Sequence, residues 1–149
     1  MELSHNNIIG ALRTAPRFFR FAFIGTLGFC ADTAILYAVM FLFGAGLYVS
    51  RGISFLCAVT LTWVLNRSLT FADRRSDEQL HREWLRFVLC NCVGGGVNIA
   101  TYALYVHFGP ATGLTPLIGV ALGSIAGLGV NYTLSKQLVF VATTRAGDA

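Results

Sequence analysis

FAFIGTLGFCADTAILYAVMFLF, residues 21–43, carries one charged side chain, Asp32, in a run otherwise free of charge. An α-helix rises about 1.5 Å per residue and needs about 20 residues to cross the hydrocarbon core of a bilayer. This stretch is long enough to cross as a helix. It is also longer than the roughly 7–15 apolar residues of a cleaved leader's core, so we read it as a retained span.

Three further stretches resemble it, from about Leu47 to Leu65, from Trp84 to about Phe108, and from about Leu114 to Leu134. Gly44 and Gly46 interrupt the first pair, and Gly109, Pro110 and Gly113 interrupt the second. Connections this short predict two antiparallel helical hairpins. The composition agrees: 55 % of the residues are hydrophobic and only 12 % charged, against about 25 % charged in soluble domains. Mean hydropathy is +0.64. Uninterrupted apolar runs favour helices over the alternating strands of a barrel, the other structure that satisfies its backbone in lipid. The fold class is therefore an all-α membrane protein with four transmembrane helices, read as one domain over 1–149. Ahead of the first span, Ile8, Ile9 and Leu12 with Phe18 and Phe19 suggest a short interfacial helix.

Basic residues set the orientation. Arg13, Arg17 and Arg20 precede the first span; Arg67, Arg74, Arg75, Arg82 and Arg86 surround the central link; Lys136 and Arg145 follow the fourth span. Only Arg51 lies on the other side. By the positive-inside rule both termini and the link are cytoplasmic. The net charge of +4 is then a topology signal and calls for no nucleic acid partner.

Within this frame the chain repeats itself. VLNRSLTF (64–71) is echoed by TLSKQLVF (133–140), and RFFRF (17–21) by EWLRF (83–87). The second pair aligns Arg20 with Arg86, an offset of 66 residues that also brings Gly28 to Gly94 and Asp32 to Asn98. Past the hairpin turn the offset becomes 69, which places Ser50, Ser54, Ala58 and Thr62 on Gly119, Gly123, Gly127 and Asn131. Small or polar residues at every fourth position share one helix face and let helices approach closely in lipid. We assign repeat 1 to 17–71, the link to 72–82 and repeat 2 to 83–140. Two spans per repeat give both halves one orientation, which predicts a pseudo-two-fold axis along the membrane normal.

Polar residues inside the spans are the candidate functional residues. Asp32 lies roughly 16 Å along the first span, near mid-bilayer, where a carboxylate costs about 2.5–3.5 kcal/mol on insertion scales. Its roles are a functional one or a hydrogen-bonded tie between helices; Asn98 is its uncharged counterpart. Arg51 either snorkels to the headgroups, the expectation here, or pairs with Asp32. Arg67 and Lys136 end their helices where the axis leaves lipid. They serve either as anchors or as two cations for one lipid phosphate, with Asn66, Thr62, Asn131 and Ser135 beside them. Arg20 and Arg86 are secondary candidates at the same end, and Arg51 at the other. Trp63, Trp84 and Tyr132 fit an aromatic belt. The four cysteines, Cys30, Cys57, Cys90 and Cys92, lie in apolar spans and read as packing residues. The three histidines (His5, His81 and His107) are scattered, and no phosphate loop, catalytic triad or metal-ligand spacing occurs. Neither enzyme chemistry nor a metal or cofactor is expected.

The pattern R-F-x-x-x-G-x-x-G-x-x-x-D from Arg20 to Asp32, the LNRSLTF ending of the second span, and their echo in the second half resemble the GtrA-like family. The resemblance covers roughly Arg17 to Phe140, with SKQLVF standing where NRSLTF stands in the first half. It implies a small bacterial cytoplasmic-membrane protein that moves polyprenyl-phosphate-linked sugars across the bilayer for O-antigen or cell-wall polysaccharide. It implies Asp32, Asn66, Arg67, Asn98 and Lys136 as functional positions. Four spans are few for a translocation path, so a homo-oligomer is expected. Two other readings stand beside this one. A non-transporting adaptor would recruit a polyprenyl-phosphate glycosyltransferase, with ADRRSDEQLHRE (72–83) as its docking segment. A small multidrug-resistance-type transporter has the right length and an acidic first span, but it lacks this duplication and is disfavoured by the ten-to-one charge bias.

Overall fold

A computed structural model describes residues 15–74 and 79–141. They form four long helices and no strand: α1 (Arg17–Phe43), α2 (Leu47–Leu65), α3 (Leu80–Phe108) and α4 (Thr115–Leu134). All four are long and apolar enough to cross a membrane. α1 and α3 begin about a turn earlier than the apolar runs predict, because RFFR and LHRE simply continue the helix. The segment around Ile8, Ile9 and Leu12 lies outside the described residues.

The chain divides into two compact units, one containing α1 and α2 and the other α3 and α4. In the first, α1 stops at Gly44, whose φ of 63° is the left-handed conformation that glycine adopts without a Cβ penalty. α2 starts after Gly46. In the second unit the turn is longer. Gly109 N–H donates to the Tyr105 carbonyl at 2.8 Å, the Thr115 hydroxyl donates to the Pro110 carbonyl, and Pro116 sits in the first turn of α4, where its missing N–H costs nothing. Residues 109–114 thus replace residues 44–46, and those three extra residues account for the change of offset from 66 to 69.

The two hairpins bury the same positions. Phe21, Ile24 and Gly28 on α1 correspond to Phe87, Cys90 and Gly94 on α3, all buried. Cys90 therefore fills the place of an isoleucine, as a packing cysteine does. On the second helices, Ser50, Ser54, Ala58 and Thr62 are buried in α2, as are Gly119, Gly123 and Gly127 in α4. Each stripe meets the first helix of its own hairpin. A Cβ on Gly28 would collide with the Thr62 side chain, and one on Gly94 with Asn131. A Cβ on Gly123 would lie 2.6 Å from the Asn98 carbonyl oxygen, and one on Gly127 lies 2.8 Å from that of Gly94. The helices are in backbone contact there, the close approach that small residues permit in lipid.

Both second helices end in a feature the apolar pattern does not carry. α2 runs into a π-turn, Asn66–Thr70, and α4 into another, Ser135–Val139. The Phe71 N–H donates to the Asn66 carbonyl and the Phe140 N–H to the Ser135 carbonyl, both at 2.8 Å and five residues back. The widened turn carries Thr70 and Phe71, and likewise Val139 and Phe140, to the buried side. Phe71 packs edge-on against Phe21 at 6.3 Å between centroids, and Phe140 packs against Phe87 at 6.0 Å. The echoed sequences are thus the two π-turns, each closed by a phenylalanine on the first helix of its hairpin.

Candidate functional site

The end of each hairpin that carries the π-turn also carries its cations. In the first hairpin the Arg17 guanidinium pairs with Asp73. Arg20 Nη1 donates to the Leu69 carbonyl at 2.7 Å, inside the π-turn, while its Nε is buried without a partner. The Arg67 guanidinium lies 6.0 Å from the Trp63 ring centroid, a cation–π placement that orients the side chain and leaves its charge in place. Asn66 is turned inward, 1 % exposed, and its Oδ1 accepts a hydrogen bond from the Thr70 hydroxyl at 2.9 Å. It holds the π-turn that presents Arg67.

The second hairpin replaces this set piece by piece. Lys136 stands for Arg67, Ser135 for Asn66 and Val139 for Thr70. With the threonine hydroxyl gone, the buried Ser135 Oγ has no hydrogen-bond partner. A groove of about 470 Å³ opens beside this turn, lined by Arg86, Leu89, Cys90, Gln137, Leu138 and Val141. It is mostly apolar, with one guanidinium and one amide at its wall. No periodicity in the sequence signals it, since it depends on how the side chains of α3 and the π-turn fill the space between them.

The amides away from these ends pack between helices. Asn131 is half-buried, with its side chain over Gly94 and its Oδ1 buried without a partner. Asn98 presents its Oδ1 and its carbonyl oxygen to Gly123.

Toward the opposite end of the first hairpin, Arg51 pairs with Asp32 through Nη1 and Oδ2. This corrects the expectation that Arg51 snorkels outward. A carboxylate at mid-helix in a low-dielectric setting is costly to leave alone, and a guanidinium within reach offsets that cost. The Asp32 side chain is 13 % exposed and that of Arg51 54 %. Asp32 Oδ1 is buried and has no partner. The second hairpin has neither charge: Asn98 stands where Asp32 does, and Val120 where Arg51 does. The acid is present where its cation is present and absent where it is absent.

Among the described residues no group of His, Cys, Asp or Glu is placed to hold a metal ion. Each hairpin carries cations at one end, the second has an apolar groove beside that end, and the first holds a charged pair between α1 and α2. A family model described as GtrA/DPMS, transmembrane domain, matches residues 20–146. No curated protein matches the chain.

Proposed function

We propose that this chain, which belongs to the GtrA/DPMS transmembrane-domain family, carries a polyprenyl-phosphate-linked sugar across the bacterial cytoplasmic membrane for O-antigen or cell-wall polysaccharide modification. The family ties this membrane protein to polyprenyl-phosphate sugars. The observation that carries the transport reading is the pairing of head and tail chemistry at one hairpin end. Arg86 lines a groove whose other walls are largely Leu89, Cys90, Leu138 and Val141. A guanidinium suits a phosphate and the apolar wall suits an isoprenoid chain. In the first hairpin, Arg20 and Arg67 put two further cations at the corresponding end.

In this reading the charge-rich ends face the cytoplasm, where the lipid-linked sugar is loaded. The protein makes and breaks no bonds. Asn98 and Asn131 supply hydrogen-bonding groups to a hydroxyl-rich sugar within the spans, and a homo-oligomer completes the path. Purified protein reconstituted in liposomes with a labelled polyprenyl-phosphate sugar should move the label between leaflets faster than protein-free liposomes. Equal rates would refute the transport reading.

A further inference from the structure

Arg51 lies about one turn into α2, which starts at Leu47. The register set by Gly28 against Thr62 places it opposite Val39, about two helical turns and roughly 10 Å along the axis from Asp32. The two side chains together bridge that distance, with the guanidinium turned toward the middle of the helix pair. The usual direction for an arginine near a helix end is the reverse, out to the interface. Asp32 thus draws the cation inward. Only one guanidinium nitrogen engages the carboxylate, and the Arg51 side chain remains 54 % exposed. A guanidinium has five N–H donors in a fork that fits carboxylate and phosphate alike. On the carboxylate side, Oδ1 is buried and unpartnered, so neither group reaches its full hydrogen-bonding capacity in the pair.

We propose that Arg51 is a second phosphate station, at the end of the first hairpin away from Arg20 and Arg67. Asp32 occupies it in the empty protein, and a lipid-borne phosphate opens it by taking the carboxylate's place. This rests on the transport reading above and adds a residue and a direction to it. The headgroup is handed from the Arg20 and Arg67 end to Arg51, and Asp32 reclaims the arginine once the lipid leaves. Asp32 is then a competitor of the phosphate, which sets this assignment apart from one in which Asp32 binds the substrate.

The sign of one mutation decides between them. Geranyl monophosphate is titrated calorimetrically into purified wild-type protein, Asp32→Asn, Arg51→Gln, Arg67→Ala and the double variant Asp32→Asn/Arg51→Val. The double variant writes into the first hairpin the Asn and Val that the second already carries, which keeps a foldable control in the set. If Asp32 competes, Asp32→Asn tightens one of two sites by about tenfold, within the usual range for coupled sites. Arg51→Gln and the double variant abolish that site and keep the one sensitive to Arg67. Weaker or unchanged binding in folded Asp32→Asn overturns the proposal, as does a tightened site that survives loss of Arg51. Inorganic phosphate binding there as well as geranyl monophosphate overturns the lipid assignment. An Arg67-sensitive site without any Arg51 response sinks this inference alone, whereas no binding to any variant sinks the transport reading with it.

Discussion

Position by position, the two hairpins solve the same packing problem with different atoms, and the differences carry predictions. Gly123 and Gly127 face backbone carbonyls that cannot move aside. Gly123→Ala and Gly127→Ala should each lower stability by about 1–3 kcal/mol, the usual cost of overpacking. Gly129→Ala, with nothing within 4 Å of the added Cβ, should not; thermal unfolding in detergent compares the three. Asn66 and Ser135 occupy corresponding buried places, but only Asn66 has a partner in its turn. Asn66→Ala orphans the Thr70 hydroxyl and should cost about 1–3 kcal/mol, while Ser135→Ala removes a group already unsatisfied and should be neutral or slightly stabilising. The small-residue stripe was legible in the sequence because every-fourth spacing is all that a shared face requires. Asp32 was legible as a possible partner of Arg51, but the choice between pairing and snorkelling was not. Spacing fixes which face a residue takes, and whether a long side chain turns outward or inward depends on what lies within its reach.

The helices themselves were read almost whole from apolar length, with errors of about a turn where a polar first turn continues the helix. The π-turns were the larger omission. A shift from four to five residues per hydrogen-bonded loop changes no residue's polarity, so the hydrophobic pattern ends at Leu65 and Leu134 although the helical path does not. The repeat did mark both places, since VLNRSLTF and TLSKQLVF match where these turns lie. π-turns are rare and occur often at functional sites. Here they present Arg67 in one hairpin and Lys136 in the other. A guanidinium offers phosphate a two-pronged donor and an ammonium a point charge. Arg67→Ala should therefore weaken polyprenyl-phosphate binding more than Lys136→Ala does, and Arg67→Lys should fall between Arg67→Ala and wild type. Equal binding by wild type and folded Arg67→Ala, in the same titration, would leave both residues as membrane anchors.

At the level of the molecule, charge sets the expected topology. Ten of eleven basic residues fall at the termini or around the link, with Arg51 the exception. Reporter fusions after Arg74 and at the C-terminus should read cytoplasmic, and fusions at Gly46 and Gly113 external. A periplasmic signal after Arg74 would reverse the assignment. In that expected topology the two hairpin turns are the segments that cross, and they carry little charge. Residues 44–46 and 109–114 contain no Lys, Arg, Asp or Glu.

The paired charges of the first hairpin also constrain the history of such a repeat. For one hairpin to be copied and then diverge into the other, Asp32 with Arg51 must interchange with the neutral pair that Asn98 and Val120 represent. Two single steps connect these states, and they are unequal. Arginine beside asparagine is tolerable, because a long cation near a helix end swings back to the headgroups. Aspartate beside valine strands a carboxylate in the middle of a span, at a distance no short side chain can cover. The passable route gains the arginine first and loses it last. Arg51→Val alone should accordingly assemble less well in membranes than Asp32→Asn alone, and Asp32→Asn/Arg51→Val should recover. A lineage walking between the two hairpins would keep that order of steps.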